Sequence, residues 1–159
     1  MKNKKRKKKK LCCVASTGGH WEELLCLKEI FDEYDCFYVT EKSGQIIGSK
    51  LQPLYLVRQM NRHERFFFIH FFKLILYACK IIWKEKPDVV ITTGALISFP
   101  FCFIGKIFGK KVVFIESFAR IKDRSLTGRL VYPFADLFIV QWESMLKCYP
   151  KAIYGGGIF

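Results

Sequence analysis

The sequence predicts an α/β domain built on a doubly wound parallel sheet, and three observations carry that reading. Short apolar runs alternate with longer segments of helical character along the chain. The runs are apolar throughout, as in strands buried on both faces, where an antiparallel sheet with one wet face would alternate. Three of the loops leaving them carry glycine or polar residues, at 16–20, 92–95 and 116–120. In such sheets ligands bind at the carboxyl ends of the strands, near the point where strand order reverses.

The elements follow in order. "LCCVA" at 11–15 reads as the first strand, and the glycine pair after it opens a helix over 19–33. "CFYVT" at 36–40 and "LYLV" at 54–57 are the next two strands, and a long helix covers 66–84. Strands at 89–92, 112–116 and 137–141 then alternate with helices at 97–108, 127–134 and 143–148. There is no internal repeat and no Gly, Ser or Pro-rich linker, so 159 residues make one domain.

Composition narrows the class. The chain is 51% hydrophobic and 16% aromatic, with 16 phenylalanines, more apolar surface than a small soluble core needs. Some of it is expected to face a partner or a lipid surface. Net charge is +13, and residues 1–10 are all Met or basic except Asn3. That stretch reads as a disordered basic arm ahead of a domain over 11–159: a solubilising tail, or a contact for nucleic acid or an anionic membrane surface. The apolar segment behind it is too short for a signal peptide, which predicts a cytosolic location. Seven scattered cysteines without C-x-x-C spacing fit reduced, buried thiols, and no metal site is expected.

Residues 66–84 are long and apolar enough to raise the question of a membrane span. His70, Lys73, Tyr77, Lys80 and Lys84 recur at intervals of three and four and form one stripe, with the phenylalanines elsewhere around the helix. Two lysines inside the stretch are costly at a bilayer centre, so a span is rejected. A core helix and a helix touching the membrane interface both fit.

At the first loop, Gly18 and Gly19 permit a sharp turn and the close approach of a ligand, while Ser16 and Thr17 supply hydroxyls. A phosphate or diphosphate site at the following helix is one reading, and a simple tight turn is the other. The pattern is not G-x-G-x-x-G, and no ribose-binding acid follows at a fitting position. His20 stands where an imidazole, the side chain best suited to general-base work near neutrality, reaches a hydroxyl held beside that phosphate. A local capping or packing role is the alternative.

Taken with "STGGH" at 16–20, the stretches "PDVVITTGALISFP" at 87–100, "GKKVVFIESFARI" at 109–121 and "LTGRLVYPFADLFIVQW" at 126–142 resemble a known arrangement. It is similar to the acceptor-binding, amino-terminal half of GT-B glycosyltransferases related to the bacterial enzyme that adds GlcNAc to lipid I. It resembles more closely the separate half-proteins of that group, Alg14 and the PssD/CpsF-type proteins of capsule and exopolysaccharide synthesis.

The resemblance implies a Rossmann-like GT-B half-domain over 11–159. It implies a polyprenyl-diphosphate-linked acceptor beside Ser16, Thr17, Gly18, Gly19, Thr93, Gly94 and Arg120, with His20 as the base. Glu116 stands where the lipid I enzyme also has Glu, to orient acceptor or loop, or as a strand-end carboxylate satisfied locally; Arg120 pairs with phosphate or is surface charge. Where relatives show a second glycine and an aromatic after Gly94, this chain has Ala95 and Leu96.

A donor site for the UDP-sugar is absent from the matched blocks, which implies a partner subunit of Alg13/PssE type. Tyr154, Ile158 and Phe159 are expected at that docking surface. Catalysis of this kind is expected to use no metal or cofactor. Membrane attachment is expected to be peripheral, on the cytoplasmic face, through the arm and Phe67, Phe68, Phe71, Phe72 and Lys73. Such a subunit serves capsular, exopolysaccharide or lipid-linked oligosaccharide synthesis. The alternative from another class is a non-catalytic scaffold that recruits a glycosyltransferase. Nucleic-acid binding has no motif in the folded part to support it.

Overall fold

The computed structural model describes residues 8–43, 51, 53–61 and 64–158. Its elements are β1 (Lys10–Ala15), α1 (Gly19–Leu25), α2 (Lys28–Phe31), β2 (Asp35–Glu41), β3 (Leu54–Val57), α3 (Phe67–Glu85), β4 (Val89–Gly94), α4 (Ser98–Ile107), β5 (Lys111–Ile115), α5 (Leu126–Val131), β6 (Leu137–Val140) and β7 (Ile153–Tyr154). A 3₁₀ turn, Glu143–Lys147, precedes β7. The seven strands form one sheet in the order β3-β2-β1-β4-β5-β6-β7, and every pairing is parallel.

β1 is the axis of the fold. It pairs with β2 on one side and β4 on the other, so the strand order reverses beside it. Its side chains alternate between two cores. Cys12 and Val14 join the larger core with Leu74 and Ala78 of α3 and Phe101 of α4. Leu11, Cys13 and Ala15 face the smaller core with Trp21, Leu24 and Phe31. A strand buried on both faces has no polar position to offer, which is why "LCCVA" carries none.

Where structure and expectation differ, local packing explains it. β1 starts at Lys10 because its amide donates to the Asp88 carboxylate at 2.8 Å and its ammonium sits 2.6 Å from Glu85. The helix expected over 19–33 breaks at Cys26 and Leu27, and a second short turn then buries Phe31 at 2% exposure. The last helix is a 3₁₀ turn. β7 was not expected, since a pair of residues before a glycine run shows no period to read.

α3 buries Leu74, Ala78, Ile81 and Ile82, spaced one and two turns apart. Phe67 and Phe71 are half-buried and stack at 5.6 Å, and Phe71 continues onto Phe99 of α4 at 6.4 Å. Those two therefore pack within the fold as a seam between helices. Phe68 and Phe72 are 83% and 60% exposed, beside exposed Ile69 and Lys73. Among the described residues no helix is long and apolar enough to cross a membrane.

Candidate functional site

The register of β1 against β4 builds the site. Ala15 and Gly94 are opposite each other, so the loops that leave these strands run side by side. After β1 the chain turns at Gly18, whose φ is 82°, and the Gly18 carbonyl accepts the amides of Trp21 and Glu22 to start α1. That turn sets His20 against the end of β4.

His20 and Thr93 are joined twice. The ring Nδ1 lies 2.9 Å from the Thr93 carbonyl oxygen, and the Thr93 hydroxyl donates to the His20 carbonyl at 2.6 Å. A carbonyl oxygen only accepts, so Nδ1 carries the proton of the neutral ring and Nε2 holds the free lone pair. Gly94, at φ 114°, makes the contact possible: a Cβ there would stand 3.3 Å from His20 Cε1 and 3.4 Å from Nδ1. Thr92 Oγ1 accepts the Gly94 amide at 2.9 Å and donates to Ser98 Oγ at 2.7 Å, which fixes the β4 loop to α4. Ala95 takes φ 74°, the conformation a second glycine would adopt freely.

His20 lines a cleft of about 210 Å³ together with Ala95, Ser117, Arg120 and Ser125. Arg120 is exposed at its mouth. Ser16 and Thr17 lie half-buried in the β1 turn, and the exposed Gly18 and Gly19 follow. The structure thus brings the expected acceptor-side residues to one edge of the sheet, around His20.

Glu116 is beneath the cleft wall, 1% exposed. Its Oε1 accepts the Ser117 amide at 3.1 Å; its Oε2 accepts the Ser125 amide at 3.3 Å, the Ser125 hydroxyl at 3.1 Å and the Tyr149 hydroxyl at 2.6 Å. Burial, and then the carboxylate, push the Tyr149 phenol well above its ordinary range. These four donors tie the carboxylate to the loop 117–125 and the start of α5, three of them on Oε2 and one on Oε1.

Three more carboxylate and amide groups belong to the site and were not singled out as site residues from the sequence. Glu23, 4% exposed on α1, accepts the Ser117 hydroxyl at 2.9 Å, the Phe118 amide at 3.2 Å and the Gln141 side chain at 3.1 Å. Gln141 also donates to the Glu116 carbonyl at 3.0 Å. Glu41 ends β2, accepting Thr17 Oγ1 at 3.5 Å and the Met60 amide at 3.3 Å. Burial pushes the Glu41 carboxyl up, opposed by those hydrogen bonds and the nearby His20. The available signal was a polar residue closing each of two apolar strands, "YVTE" and "FIVQ". Among the described residues no group of three or more His, Cys, Asp and Glu side chains could hold a metal ion.

Tyr154 lies on the edge strand at 50% exposure, and Ile158 is half-buried with its amide on Gln141 Oε1 at 2.9 Å. Phe159, expected at the same surface, lies outside the described residues, as do residues 1–7 of the arm.

A seven-stranded parallel sheet reversing at β1, with its loops converging on a histidine, defines a Rossmann-like half-domain of the GT-B type. Solved structures share it: MurG of Acinetobacter baumannii aligns at TM-score 0.68 and 16% identity over 86% of this chain and 42% of that one. The Staphylococcus aureus MnaA–UDP co-structure aligns at TM-score 0.74 and 16% identity, covering 94% and 44%. The chain belongs to the family described as "Oligosaccharide biosynthesis protein Alg14 like", whose profile matches residues 11–158. It is 30% identical to the UDP-N-acetylglucosamine transferase subunit ALG14 of Rattus norvegicus, over 91% of this chain and 81% of that protein. It is 38% identical to the alg14 subunit of Schizosaccharomyces pombe, over 56% of this chain and 46% of that protein.

Proposed function

We propose that this chain is the acceptor-binding subunit of a two-component glycosyltransferase. It holds a polyprenyl-diphosphate-linked saccharide at the cytoplasmic face of a membrane, while a donor-binding subunit of Alg13/PssE type presents a UDP-sugar. The rat and yeast relatives, named as UDP-N-acetylglucosamine transferase subunits, favour N-acetylglucosamine as the sugar. Lipid-linked oligosaccharide synthesis, or the capsular and exopolysaccharide pathways that use the same kind of acceptor, is the setting.

The observation that carries the reading is the His20–Thr93 pair. The Thr93 carbonyl holds the proton on Nδ1, leaving Nε2 to take one from a sugar hydroxyl as that oxygen attacks the anomeric carbon and the nucleoside diphosphate leaves. Arg120 at the cleft mouth, with the open turn at Gly18 and Gly19, is available to the acceptor diphosphate. The exposed Phe68 and Phe72, with Lys73 and the basic amino-terminal stretch, give an apolar and a charged contact with an anionic surface.

The test is transfer from labelled UDP-N-acetylglucosamine to a lipid-linked acceptor in membranes containing the co-purified partner. His20→Asn and His20→Ala are expected to assemble normally and to lose turnover by about a hundredfold or more, the scale of a lost general base. Turnover close to wild type in both would remove His20 from the reaction and favour a scaffold.

A further inference from the structure

Gln141 follows β6 directly and is 3% exposed, with both its amide nitrogen and its oxygen hydrogen-bonded to partners of opposite kind. Nε2 donates to Glu23 Oε2 at 3.1 Å and to the Glu116 carbonyl at 3.0 Å; Oε1 accepts the Ile158 amide at 2.9 Å. Two acceptors on one side and a donor on the other fix which way the amide points. Glu23 carries the connection on, because its second oxygen accepts the Ser117 hydroxyl at 2.9 Å and the Phe118 amide at 3.2 Å. Ser117 lines the cleft with His20, and Glu23 lies one turn beyond His20 on α1.

The other end of this relay arrives from the sheet edge. Ile153 and Tyr154 pair with Ile139 and Val140 as the last strand and are 57% and 50% exposed. The Gly155 amide donates to the Val140 carbonyl at 3.0 Å, and Gly156, at φ 75°, turns the chain back over the carboxyl edge. Gly157 then runs against the Phe118 ring, where a Cβ would stand 3.2 Å from Cε2. The tail therefore touches Phe118, which sits between the cleft-lining Ser117 and Ala119, and reaches Ser117 itself through Gln141 and Glu23.

We infer that Gln141 is a positioning residue that couples the seating of the 155–158 tail to Ser117 and Phe118, so that a protein gripping the apolar edge at Ile153 and Tyr154 shapes the acceptor cleft. The relay is a property of this chain alone, while its use in assembly rests on the two-subunit reading above. It gives a physical route by which a donor-binding subunit docked at that edge would act on the acceptor side.

Amide hydrogen exchange on the full chain, followed by NMR, tests the relay. Ile158→Pro deletes the one amide that reaches Gln141, Gln141→Met deletes the polar link at similar volume, and Ile158→Gly keeps the amide while removing the side chain. Ile158→Pro and Gln141→Met should each speed exchange at Phe118 by about three- to tenfold, the factor one lost hydrogen bond supplies. The double variant should add nothing to Gln141→Met, as for two changes in one path, and Ile158→Gly should match wild type.

Core amides at Val14 and Val90 report whether each variant is folded. Should Gln141→Met loosen those too, the comparison of Ile158→Pro with Ile158→Gly decides alone. Phe118 exchange within about twofold of wild type in Ile158→Pro, less than one hydrogen bond supplies, would overturn the coupling. Equal acceleration in Ile158→Gly would assign the effect to apolar packing and overturn the role of Gln141. Failure to find any donor subunit would leave the exchange result standing, so the two readings fail separately.

Discussion

The imidazole of His20 is locked to Thr93 by reciprocal bonds, ring Nδ1 to the Thr93 carbonyl at 2.9 Å and Thr93 hydroxyl to the His20 carbonyl at 2.6 Å. One residue heads α1 and the other closes β4, so the pair ties together the two loops on either side of the strand reversal. An imidazole held on a main-chain carbonyl, with its own backbone tied to the same residue, keeps its tautomer and aim. Its precision then depends on the glycine that lets the loops meet.

Gly94→Ala tests that dependence. The added methyl meets the His20 ring at 3.3 Å on a backbone of φ 114°, which an L residue adopts at a cost of about 1–3 kcal/mol. The variant should melt lower by that amount and show shifted His20 ring resonances. Ala95 offers the opposite case at φ 74°. Ala95→Gly relieves the steric cost of about 1–2 kcal/mol but gives back about 0.5–1 kcal/mol of unfolded-state entropy. A small stabilisation follows, read in the same melts, and a loss of stability would contradict it.

Glu116 separates a positioning role from a catalytic one. In Glu116→Gln one oxygen becomes a donor facing donors, so a buried network built on four accepted bonds is broken. The expected loss is about 2–4 kcal/mol of stability. Gly128→Ala should produce a similar loss with Glu116 itself unchanged, since its Cβ collides with Glu116 Oε2 and sits 2.5 Å from the Tyr149 hydroxyl. A Glu116→Gln protein with wild-type stability and no transfer activity would return Glu116 to direct chemistry.

These contrasts show what the sequence could and could not disclose. β1 was legible because it is apolar throughout, as a strand buried on both faces can be, and β4 because "VVI" opens it; "GGH" marks the turn after the first and "TTG" the end of the second. The pairing of His20 with Thr93 was not, because it depends on strand order, which brings residues 73 positions apart into contact. Glu23 and Gln141 were hidden for a related reason. Each looks like an ordinary polar residue of its own element, and only the meeting of α1 with the residues that follow β5 and β6 turns them into a network. Phe67 and Phe71 were read with Phe68 and Phe72 as one surface, yet Phe67 stacks on Phe71 and Phe71 on Phe99 of α4.

Acid stability should follow Asp136 in part. Its burial works against the charge, but Lys106, Lys111 and the Val112 amide, each at 2.9 Å, outweigh it and pull the carboxyl down to about 2. A carboxyl lowered in the folded state stabilises above its unfolded value of about 3.9 and loses that contribution as pH falls toward its folded value. Asp136→Asn should therefore cost about 1 kcal/mol near neutrality, after solvent screening. Urea melts of wild type and variant should converge between about pH 4 and pH 2. A gap that stays constant through that window would mean that shape, and not charge, accounts for the loss.

Membrane contact divides the phenylalanines of α3. Phe68 and Phe72 are 83% and 60% exposed, while Phe67 and Phe71 stack within the helix seam. Burying an exposed phenylalanine in a lipid interface is worth about 1.5–3 kcal/mol at most, so Phe68→Ser with Phe72→Ser should weaken binding to vesicles containing phosphatidylglycerol by tenfold or more. The melting temperature should move little, because both rings are exposed and Phe68 gives up only an edge contact with Phe67 at 5.5 Å. Phe67→Ser with Phe71→Ser should do the reverse, lowering stability through loss of the stack on Phe99 while the exposed rings continue to bind. Raising salt from about 50 to 200 mM should weaken both proteins by a common factor through the lysine-rich stretch. Vesicle binding unchanged in the Phe68 and Phe72 double variant would place the apolar contact elsewhere on the molecule.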